Sequence, residues 1–449
     1  MPNGVTRENF YESCRDVPAS VTHTNASGVI LTKRIFTRDA SGNLTGRTQY
    51  RFGDDTNRID VFSQNARGEI ATAELGTNAY AYSFDPIGNR LATDEPQFSA
   101  AYSANALNQY ISISNYVTSS EFIPEFDEDG NQTLVRTSTG IWHVTYNAEN
   151  RPIIFSNDTA VIEMAYDYQG RRFEYKEIVS ATLTRHARYL YRGYLQIAAL
   201  DLLDATNVIH TVAWDPTEPT ATRPLVLQMG TNWWCYGFDQ GKNVTELFDS
   251  SGNVVGAYDY TTFGDVLSAT GAAAFLNPFT FSSEAFNYTI GLVQYNYRPY
   301  NPFDGRFIGC DPIYDAVQAG TELYPLCLYD SNEVELLYQF CLNDPINNID
   351  LLGLGLICNC PYAGHILDPG DFIKTEDMGG VKCNCENSGR TVTKIESAQC
   401  QSYEFYGMDP FAKYCAARKC KLTVIWECKK HGTCYNWSMK SESVSSCRK

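Results

Sequence analysis

Charged residues are scarce in this sequence, and basic residues are scarcer than acidic ones. Asp, Glu, Lys and Arg together make up 19% of the 449 residues, below the roughly 25% of an ordinary soluble chain. The 35 basic residues stand against 52 acidic ones, which gives a formal net charge of −17. A chain of this charge lacks the cationic face that binds phosphates. The composition therefore argues against nucleic acid as the main partner.

Long apolar runs are also missing. No stretch approaches the roughly 18 consecutive apolar residues of a membrane helix, so no bilayer span is predicted. The start of the chain, MPNGVTRENFYESC, has no apolar signal-peptide core. We expect either export by another route or a longer natural chain whose amino-terminal part is missing. Aromatic residues, in contrast, are abundant, with 30 Tyr, 23 Phe and 6 Trp, which excludes a disordered, solvating chain.

Cysteine is rare in the first 350 residues and dense after them. Of the 15 cysteines, 10 lie between Cys358 and Cys447. The charge balance changes at the same place, because residues 355–449 contain 13 basic and 10 acidic residues while residues 1–354 contain 22 and 42. These two changes together predict a domain boundary after residue 354.

The acidic body contains a repeated pair, in which Asp or Asn is followed three positions later by Gly or Asn. The pairs are Asp39/Gly42, Asp54/Asn57, Asp85/Gly88, Asn105/Asn108, Asp127/Gly130, Asn147/Asn150, Asp167/Gly170 and Asp249/Gly252. From Asp85 to Asp167 the steps are 20, 22, 20 and 20 residues. Tyr or Phe often precedes the first position, as at Phe84 and Tyr166. Self-similarity at a fixed period is typical of repeat architectures.

Each pair has the chemistry of a hairpin turn. Asp and Asn side chains accept hydrogen bonds from backbone amides two residues on, and Gly and Asn tolerate the positive φ that closes such a turn. Flanking stretches such as residues 79–84 and 141–146 alternate with period two, as strands do. We therefore predict a mainly β fold, with antiparallel hairpin repeats over residues 30–300 wound into a shell or an extended sheet. An ordinary β-sandwich or propeller is the alternative, and the regular spacing favours the repeat.

The sequence resembles the RHS/YD-repeat family. The repeat signature occurs at Phe84–Arg90 and Tyr166–Arg172, and the RHS-associated core that closes the repeats resembles Val244–Leu267, Asn277–Ile313 and Leu336–Leu354. The most specific string runs from Gly291 to Phe307 and reads GLVQYNYRPYNPFDGRF. On this basis we divide the chain into an N-terminal segment (1–29), YD-type repeats (30–240), the RHS-associated core (241–354) and a Cys-rich variable C-terminal domain (355–449).

The resemblance implies a β-shell whose core plugs one end and can act as an aspartyl autoprotease. The cut would follow the terminal Asp-x-x-Gly-Leu motif, which begins here at Asp350 and places the cleavage between Leu354 and Gly355. One catalytic carboxylate maps to Asp311, and the second is Asp350 or Asp344. Two features depart from the family pattern: Cys310 replaces the usual Arg, and the stretch between Ile313 and Leu336 is longer and lacks Gly-Gly-x-Asn-Leu. The alternative is a core that serves only as a plug.

The C-terminal region matches no family by its residues. Its cysteines are Cys358, Cys360, Cys383, Cys385, Cys400, Cys415, Cys420, Cys428, Cys434 and Cys447. In an oxidising compartment, this number in a short segment predicts up to five disulfides with undetermined connectivity. A zinc site completed by His365 or His431 is the alternative, although Cys-x-Cys spacing is tighter than zinc ligands usually show.

Two functions remain at this stage. In the first, the shell and core carry the C-terminal domain as cargo and release it as a toxin-like effector. In the second, the chain is a structural or adhesive surface protein without catalytic activity, whose Tyr-rich faces bind a glycan or a protein. Both predict an extracellular or cell-surface location and no cofactor.

Overall fold

The computed structural model describes residues 1–12, 17–216, 223–312, 337–350 and 353, together with the backbone of residues 391–404, 413–431 and 434–445. The chain forms two compact units. The first consists of the described residues of Met1–Glu8, Val21–Ala319 and Asp330–Leu356, and the second includes the three C-terminal strands. No helix in the described part of the chain is long and apolar enough to cross a membrane.

The first sheet has eleven strands that follow one another in chain order. They are β1 (Thr6–Tyr11), β2 (Pro18–Thr24), β3 (Ile30–Arg38), β4 (Leu44–Arg51), β5 (Arg58–Gln64), β6 (Ile70–Leu75), β7 (Asn78–Phe84), β8 (Arg90–Glu95), β9 (Phe98–Ala104), β10 (Tyr110–Asn115) and β11 (Ser120–Phe122). Each strand pairs with the next, as expected for consecutive hairpins.

The second sheet has fourteen strands, again in chain order. They are β12 (Glu125–Phe126), β13 (Gln132–Thr137), β14 (Gly140–Tyr146), β15 (Pro152–Ser156), β16 (Ala160–Tyr166), β17 (Arg172–Val179), β18 (Thr182–Arg192), β19 (Leu195–Asp201), β20 (Val208–Trp214), β21 (Pro224–Met229), β22 (Asn232–Phe238), β23 (Val244–Phe248), β24 (Val254–Tyr260) and β25 (Val266–Thr270).

Two smaller sheets complete the described structure. One contains β26 (Ala285–Asn287), β27 (Leu292–Gln294), β28 (Pro299–Asn301) and β29 (Arg306–Phe307). The other belongs to the second unit and contains β30 (Thr391–Glu404), β31 (Lys413–His431) and β32 (Cys434–Ser445). The prediction of a mainly β fold built from antiparallel hairpins is confirmed. The side chains of the ten C-terminal cysteines lie outside the described residues, so their pairing stays a prediction.

The repeated pairs form one kind of turn, which we call the wide turn. In the turn that begins at Asp85, Oδ1 accepts hydrogen bonds from the backbone amides of Ile87 (3.0 Å) and Asn89 (2.8 Å). The fourth residue, Gly88, has φ +84°, where a Cβ is disfavoured. In every wide turn the backbone amide of the first residue donates to the carbonyl of the fifth, and the fourth residue has a positive φ. These turns begin at Asn25, Asp39, Asn65, Asp85, Asn105, Asp127, Asn147, Asp167, Asp239, Asp249 and Thr261.

Seven of the eight predicted pairs are wide turns, and the pair Asp54/Asn57 is not. That hairpin turns instead at Gly53, with φ +94°, and the amide of Asp54 donates to the carbonyl of Arg51. Two of the additional wide turns, at Asn25 and Asn65, have the same Asn-x-x-Gly spacing. The turn at Asp239 has Lys242 as its fourth residue instead of Gly or Asn, and the other turn begins with Thr261 instead of Asp or Asn. The spacing rule therefore did not find these two turns.

Wide turns alternate with two-residue turns, such as those between Leu75 and Asn78 and between Glu95 and Phe98. Successive turns of an antiparallel sheet lie at opposite ends of its strands. In each large sheet, alternate turns therefore lie at the same end of the strands, and we call this end the wide-turn edge. Its wide turns begin at residues 39, 65, 85, 105, 127, 147, 167, 239 and 261. Aromatic residues before the turns link neighbouring hairpins, because the hydroxyls of Tyr146 and Tyr166 donate to the carbonyls of Gln132 and Pro152, each at 2.9 Å.

Each large sheet buries the side chains of one face, and both apolar and ionic contacts involve these buried side chains. Buried and exposed residues alternate along β7 and β14, so side chains such as Tyr82 and Trp142 point inward. Arg34 on β3 forms a bidentate ion pair with Glu246 on β23, both fully buried. Burial alone would raise the pKa of Glu246, but the charge and hydrogen bonds of Arg34 lower it to about 2. This pair joins the beginning of the first sheet to the end of the second.

A segment that we call the closing segment, described over residues 277–312, 337–350 and 353, covers the wide-turn edge. Its buried rings form an aromatic cluster, in which Tyr300 and Phe340 stack at 3.9 Å between ring centroids. Its side chains donate hydrogen bonds to several wide turns, from Asn343 to the carbonyl of Gly88, from Arg306 to that of Asn108, from Tyr338 to that of Gly130 and from Tyr300 to that of Phe263. Oδ1 of Asn347 accepts a hydrogen bond from the amide of Leu44, and the carbonyl of Asn296 accepts one from Arg151. The segment thus satisfies backbone groups that a bare edge would leave to water.

The contact between this segment and the wide turns predicts different costs for the same substitution at two glycines. Gly264 and Gly28 are fourth residues of wide turns with φ +94° and +80°, but a Cβ at Gly264 would lie 2.5 Å from Cγ of Phe281, whereas none of the described atoms lies within 4 Å of a Cβ at Gly28. We expect Gly28→Ala to lower the free energy of unfolding by about 1 kcal/mol and Gly264→Ala by about 3 kcal/mol or more. Equal losses in urea unfolding would contradict the contact.

The cross-sheet ion pair predicts a second result. Glu246→Gln leaves Arg34 buried without its counter-charge, so we expect the free energy of unfolding to fall by about 3–5 kcal/mol, and the double variant Arg34→Met/Glu246→Leu to recover much of that loss. The control is Glu163→Gln, because the half-exposed Glu163 lies 3.5 Å from Lys176 and such surface pairs contribute about 1 kcal/mol or less. Urea unfolding followed by circular dichroism measures all three, and a Glu246→Gln variant as stable as the control would refute the role of the pair.

Candidate functional site

The two predicted catalytic carboxylates, Asp311 and Asp350, both lie in the closing segment. Asp311 follows β29, is 7% exposed, and its amide donates to the carbonyl of Leu337 at 3.0 Å. Asp350 is fully buried. The sequence separates these residues by a long intervening stretch, and the fold brings both into the same aromatic surroundings.

Arg298 connects Asp311 to the terminal motif. Its Nη2 donates to Oδ2 of Asp311 at 2.7 Å, its Nε donates to the carbonyl of Gly353 at 2.7 Å, and its Nη1 donates to the carbonyl of Leu337 at 2.9 Å. The guanidinium also stacks over the ring of Phe307 at 3.8 Å and is 4% exposed. A buried, charge-assisted fork of this kind fixes geometry more firmly than neutral hydrogen bonds do.

Asp350 holds the other side of the same residue, because its Oδ1 accepts a hydrogen bond from the amide of Gly353 at 2.7 Å. Gly353 has φ +79°, and a Cβ there would lie 2.8 Å from Cβ of Tyr295 and 3.3 Å from the amide nitrogen of Arg298. Only glycine fits without a shift of its neighbours. The connection that the structure shows between the two carboxylates therefore runs through Arg298 and the backbone of Gly353.

The surroundings of Asp350 contain further ionisable groups that the sequence did not single out. Burial raises the pKa of Glu284 to about 8, with Lys242 opposing and Asp350 adding to the effect. Burial likewise raises the pKa of the Cys341 thiol well above its ordinary value, and the negative charge of Asp350 adds to the rise. Glu284 could have been suspected as the one carboxylate in the aromatic stretch from Phe279 to Phe286.

Asp344, the alternative second carboxylate, has a local structural role. Its Oδ2 accepts a hydrogen bond from Nδ2 of Asn347 at 2.7 Å, and its carbonyl accepts one from the amide of Asn348 at 3.0 Å. Burial raises its pKa to about 6. These contacts shape the turn after the 3-10 helix Cys341–Asn343.

The replacement of Arg by Cys310 does not leave Asp311 without a cation, because Arg298 pairs with it. The thiol of Cys310 instead lies 3.5 Å from the hydroxyl of Tyr338. A partner 13 residues away could not be assigned from spacing, so sequence reasoning missed Arg298 although it lies within the quoted motif. The predicted cleavage residues Leu354 and Gly355 lie outside the described part of the chain.

Comparisons with known proteins agree with this architecture. Residues 223–346 match the family model of the teneurin YD-shell. Three solved structures share the fold over 79% of the chain: TcdB2-TccC3-Cdc42 (TM-score 0.61, 15% identity), TcdB2-TccC3 without its hypervariable C-terminal region (0.60, 15%) and TcdB2-TccC3 (0.55, 16%). The prediction of an RHS/YD-type shell is confirmed.

The matched proteins are much longer than this chain, which covers 18–19% of the length of those three structures. No curated protein matches the sequence. The match establishes the shell, and the chemistry of the site has to be argued from its own residues.

The geometry around Arg298 predicts a large loss of stability when its charge is removed. Arg298→Gln would leave Asp311 buried without its counter-charge and would weaken the contact to Gly353, so we expect a loss of about 3–5 kcal/mol in the free energy of unfolding. The matched control is Arg188→Gln, since the 46%-exposed Arg188 lies 3.6 Å from Glu174 and should contribute about 1 kcal/mol or less. Similar losses for the two variants in urea unfolding would show that Arg298 does not anchor the site.

Proposed function

We propose that the shell and its closing segment hold residues 355–449 as cargo and release them by aspartyl self-cleavage after Leu354. The observation that carries this proposal is the capture of Gly353 from both sides. Arg298 binds its carbonyl and Asp350 binds its amide, so the residue next to the proposed cleavage site is fixed in position. The proposed cut follows Leu354, the next residue in the chain.

The proposed chemistry divides two roles between two aspartates. Aspartyl proteolysis needs one ionised carboxylate to activate water and one protonated carboxyl to polarise the carbonyl. Asp311, paired with Arg298, suits the ionised role. Asp350 is fully buried, and burial disfavours the ionised form of a carboxyl, which suits the protonated role. In that role it carries no charge, unlike the ionised form that raises the pKa values of Glu284 and Cys341. Water adds to the carbonyl carbon of Leu354, the C–N bond to Gly355 breaks, and the products are a carboxylate at Leu354 and an amine at Gly355.

The cargo role rests on the composition of the chain and on the fold. The cysteine content and charge balance change after residue 354, one residue beyond Gly353, which Arg298 and Asp350 hold. One of the matched structures is described as lacking a hypervariable C-terminal region, so a variable region at this place has a counterpart in proteins of the same fold. We propose a toxin-like effector for residues 355–449 and an extracellular or cell-surface location for the protein. The glycan- or protein-binding role stays a prediction from the sequence.

Intact-mass spectrometry of the purified full chain under denaturing conditions tests the cleavage. We expect two polypeptides, one that ends at Leu354 and one that begins at Gly355. Because both carboxylates take part in the proposed chemistry, Asp311→Asn and Asp350→Asn should each reduce the cleaved fraction at least a hundredfold, within the range that acid–base groups contribute.

The control variant is Asp344→Asn, which removes a buried carboxylate from the same segment. We expect it to be cleaved like the parent chain, because Asp344 shapes a turn and has no role in the proposed reaction. An intact parent chain would end the self-cleavage proposal, and loss of cleavage in Asp344→Asn with retention in Asp350→Asn would overturn the assignment of the protonated carboxyl.

A further inference from the structure

A small, partly open cavity of about 60 Å³ lies between the wide-turn edge of the fourteen-stranded sheet and the closing segment. One wall comes from Arg151, Arg171 and Arg172, and the opposite wall includes Gln294 and Tyr295. Neither the family resemblance nor the proposed cleavage assigns this cavity a role. A molecule bound in the cavity would contact both the fourteen-stranded sheet and the closing segment and would link them.

The cavity carries positive charge without matching carboxylates. Arg171 is neutralised by Asp167, with Nη2 and Oδ2 2.6 Å apart. Arg151 donates to the backbone carbonyls of Asn296 and Tyr297, and among the described residues no carboxylate pairs with it or with Arg172. Two guanidinium groups therefore face a partly enclosed space without a counter-ion from the described chain.

Arg172 is the more isolated of these two cations. Its guanidinium lies 5.6 Å and 5.1 Å from the ring centroids of Tyr175 and Tyr189, and its one polar contact with a described residue is to Sδ of Met164 at 3.9 Å. Among the residues that line the cavity, Glu284 is the one carboxyl, and burial raises its pKa against the influence of Lys242, which disfavours the ionised form that would compensate the arginines.

An uncharged group of the cavity wall adds a hydrogen-bond donor. Nε2 of Gln294 is buried and has no partner among the described residues. A buried donor without a partner costs about 1–3 kcal/mol, so the arrangement favours an occupant that accepts hydrogen bonds. Carboxylates and phosphates accept several at once and match the fork of an arginine.

We propose that this cavity binds a small oxyanion, with a carboxylate or phosphate group held by Arg151, Arg172 and Gln294. The bound anion would offset the charge of the two arginines and would connect the wide turns of the fourteen-stranded sheet to the segment that carries Arg298. Because the ligand binds the folded state, the temperature of unfolding rises as the ligand concentration exceeds the dissociation constant.

The test uses thermal unfolding and calorimetric titration of the full-length chain with inorganic phosphate and, separately, with acetate. Sodium chloride at the same ionic strength is the control for general screening. We expect saturable binding of at least one of the two anions in the calorimetric titration, together with a rise of the unfolding temperature, and neither effect with chloride. A response to phosphate alone identifies a phosphate site and a response to acetate alone a carboxylate site, whereas no saturable response to either overturns the proposal.

Variants distinguish anion binding in this cavity from anion binding by arginines elsewhere in the chain. Arg172→Gln should weaken binding about tenfold or more, since a charge-assisted hydrogen bond contributes about 1.5–3 kcal/mol. Gln294→Leu removes an unpartnered donor without removing a charge, so it keeps the test open if Arg172→Gln does not fold, and it should also weaken binding. The matched control is Arg90→Gln, because Arg90 is likewise packed on rings, those of Tyr82 and Phe263, but does not line the cavity. Equal affinity in the parent, Arg172→Gln and Gln294→Leu would contradict the site.

Discussion

The structure depends on the hydrogen bonds that the backbone amides and carbonyls of the wide-turn edge form. The repeat places wide turns along one edge, and each turn leaves amides and carbonyls that need partners when they are buried. The closing segment supplies those partners from Asn347 at one end to Ser283 at the other, and it places its aromatic rings against the same turns. The sheets and the closing segment therefore cannot be understood as separate modules.

The candidate site and the cavity both follow from this arrangement. The closing segment binds the wide turns through hydrogen bonds such as that from the hydroxyl of Tyr338 to the carbonyl of Gly130, 2.7 Å long. These hydrogen bonds fix the position of the strands that the wide turns connect. Arg298 lies within that fixed region and holds Asp311, Leu337 and Gly353 together. Gly353 is thus held at both its carbonyl and its amide. The cavity lies where the same segment crosses the turns at Arg151 and Arg171.

The sequence predicted the local features well because their causes are local. An Asx side chain and a glycine three residues later determine a turn within five residues, so the hairpins and their order were accessible from spacing. Asp54 failed as a turn because Gly53, one position earlier, takes the positive φ. The turn at Asp239 was missed because Lys242 adopts φ +64° where Gly is usual, held there by its place under the closing segment.

The non-local partners were not accessible in the same way. Arg34 and Glu246 are separated by 212 residues, and nothing in either local sequence indicates the other. Asp311 and Asp350 were named from a family resemblance, but the pairing of Asp311 with Arg298 and the elevated pKa of Glu284 depend on burial that only the folded chain defines. Residue types indicated the chemistry, and the fold was needed to show which groups share one environment.

Hydrogen–deuterium exchange of the full-length chain, followed by mass spectrometry, tests the central claim most directly. If the closing segment is an integral part of the shell, peptides from residues 279–308 and 338–346 should exchange as slowly as those from β13 to β16, because all of them open in one cooperative unit. Fast exchange throughout residues 279–308 while the strands of the large sheets stay protected would show that the segment is only loosely attached, and would contradict the account.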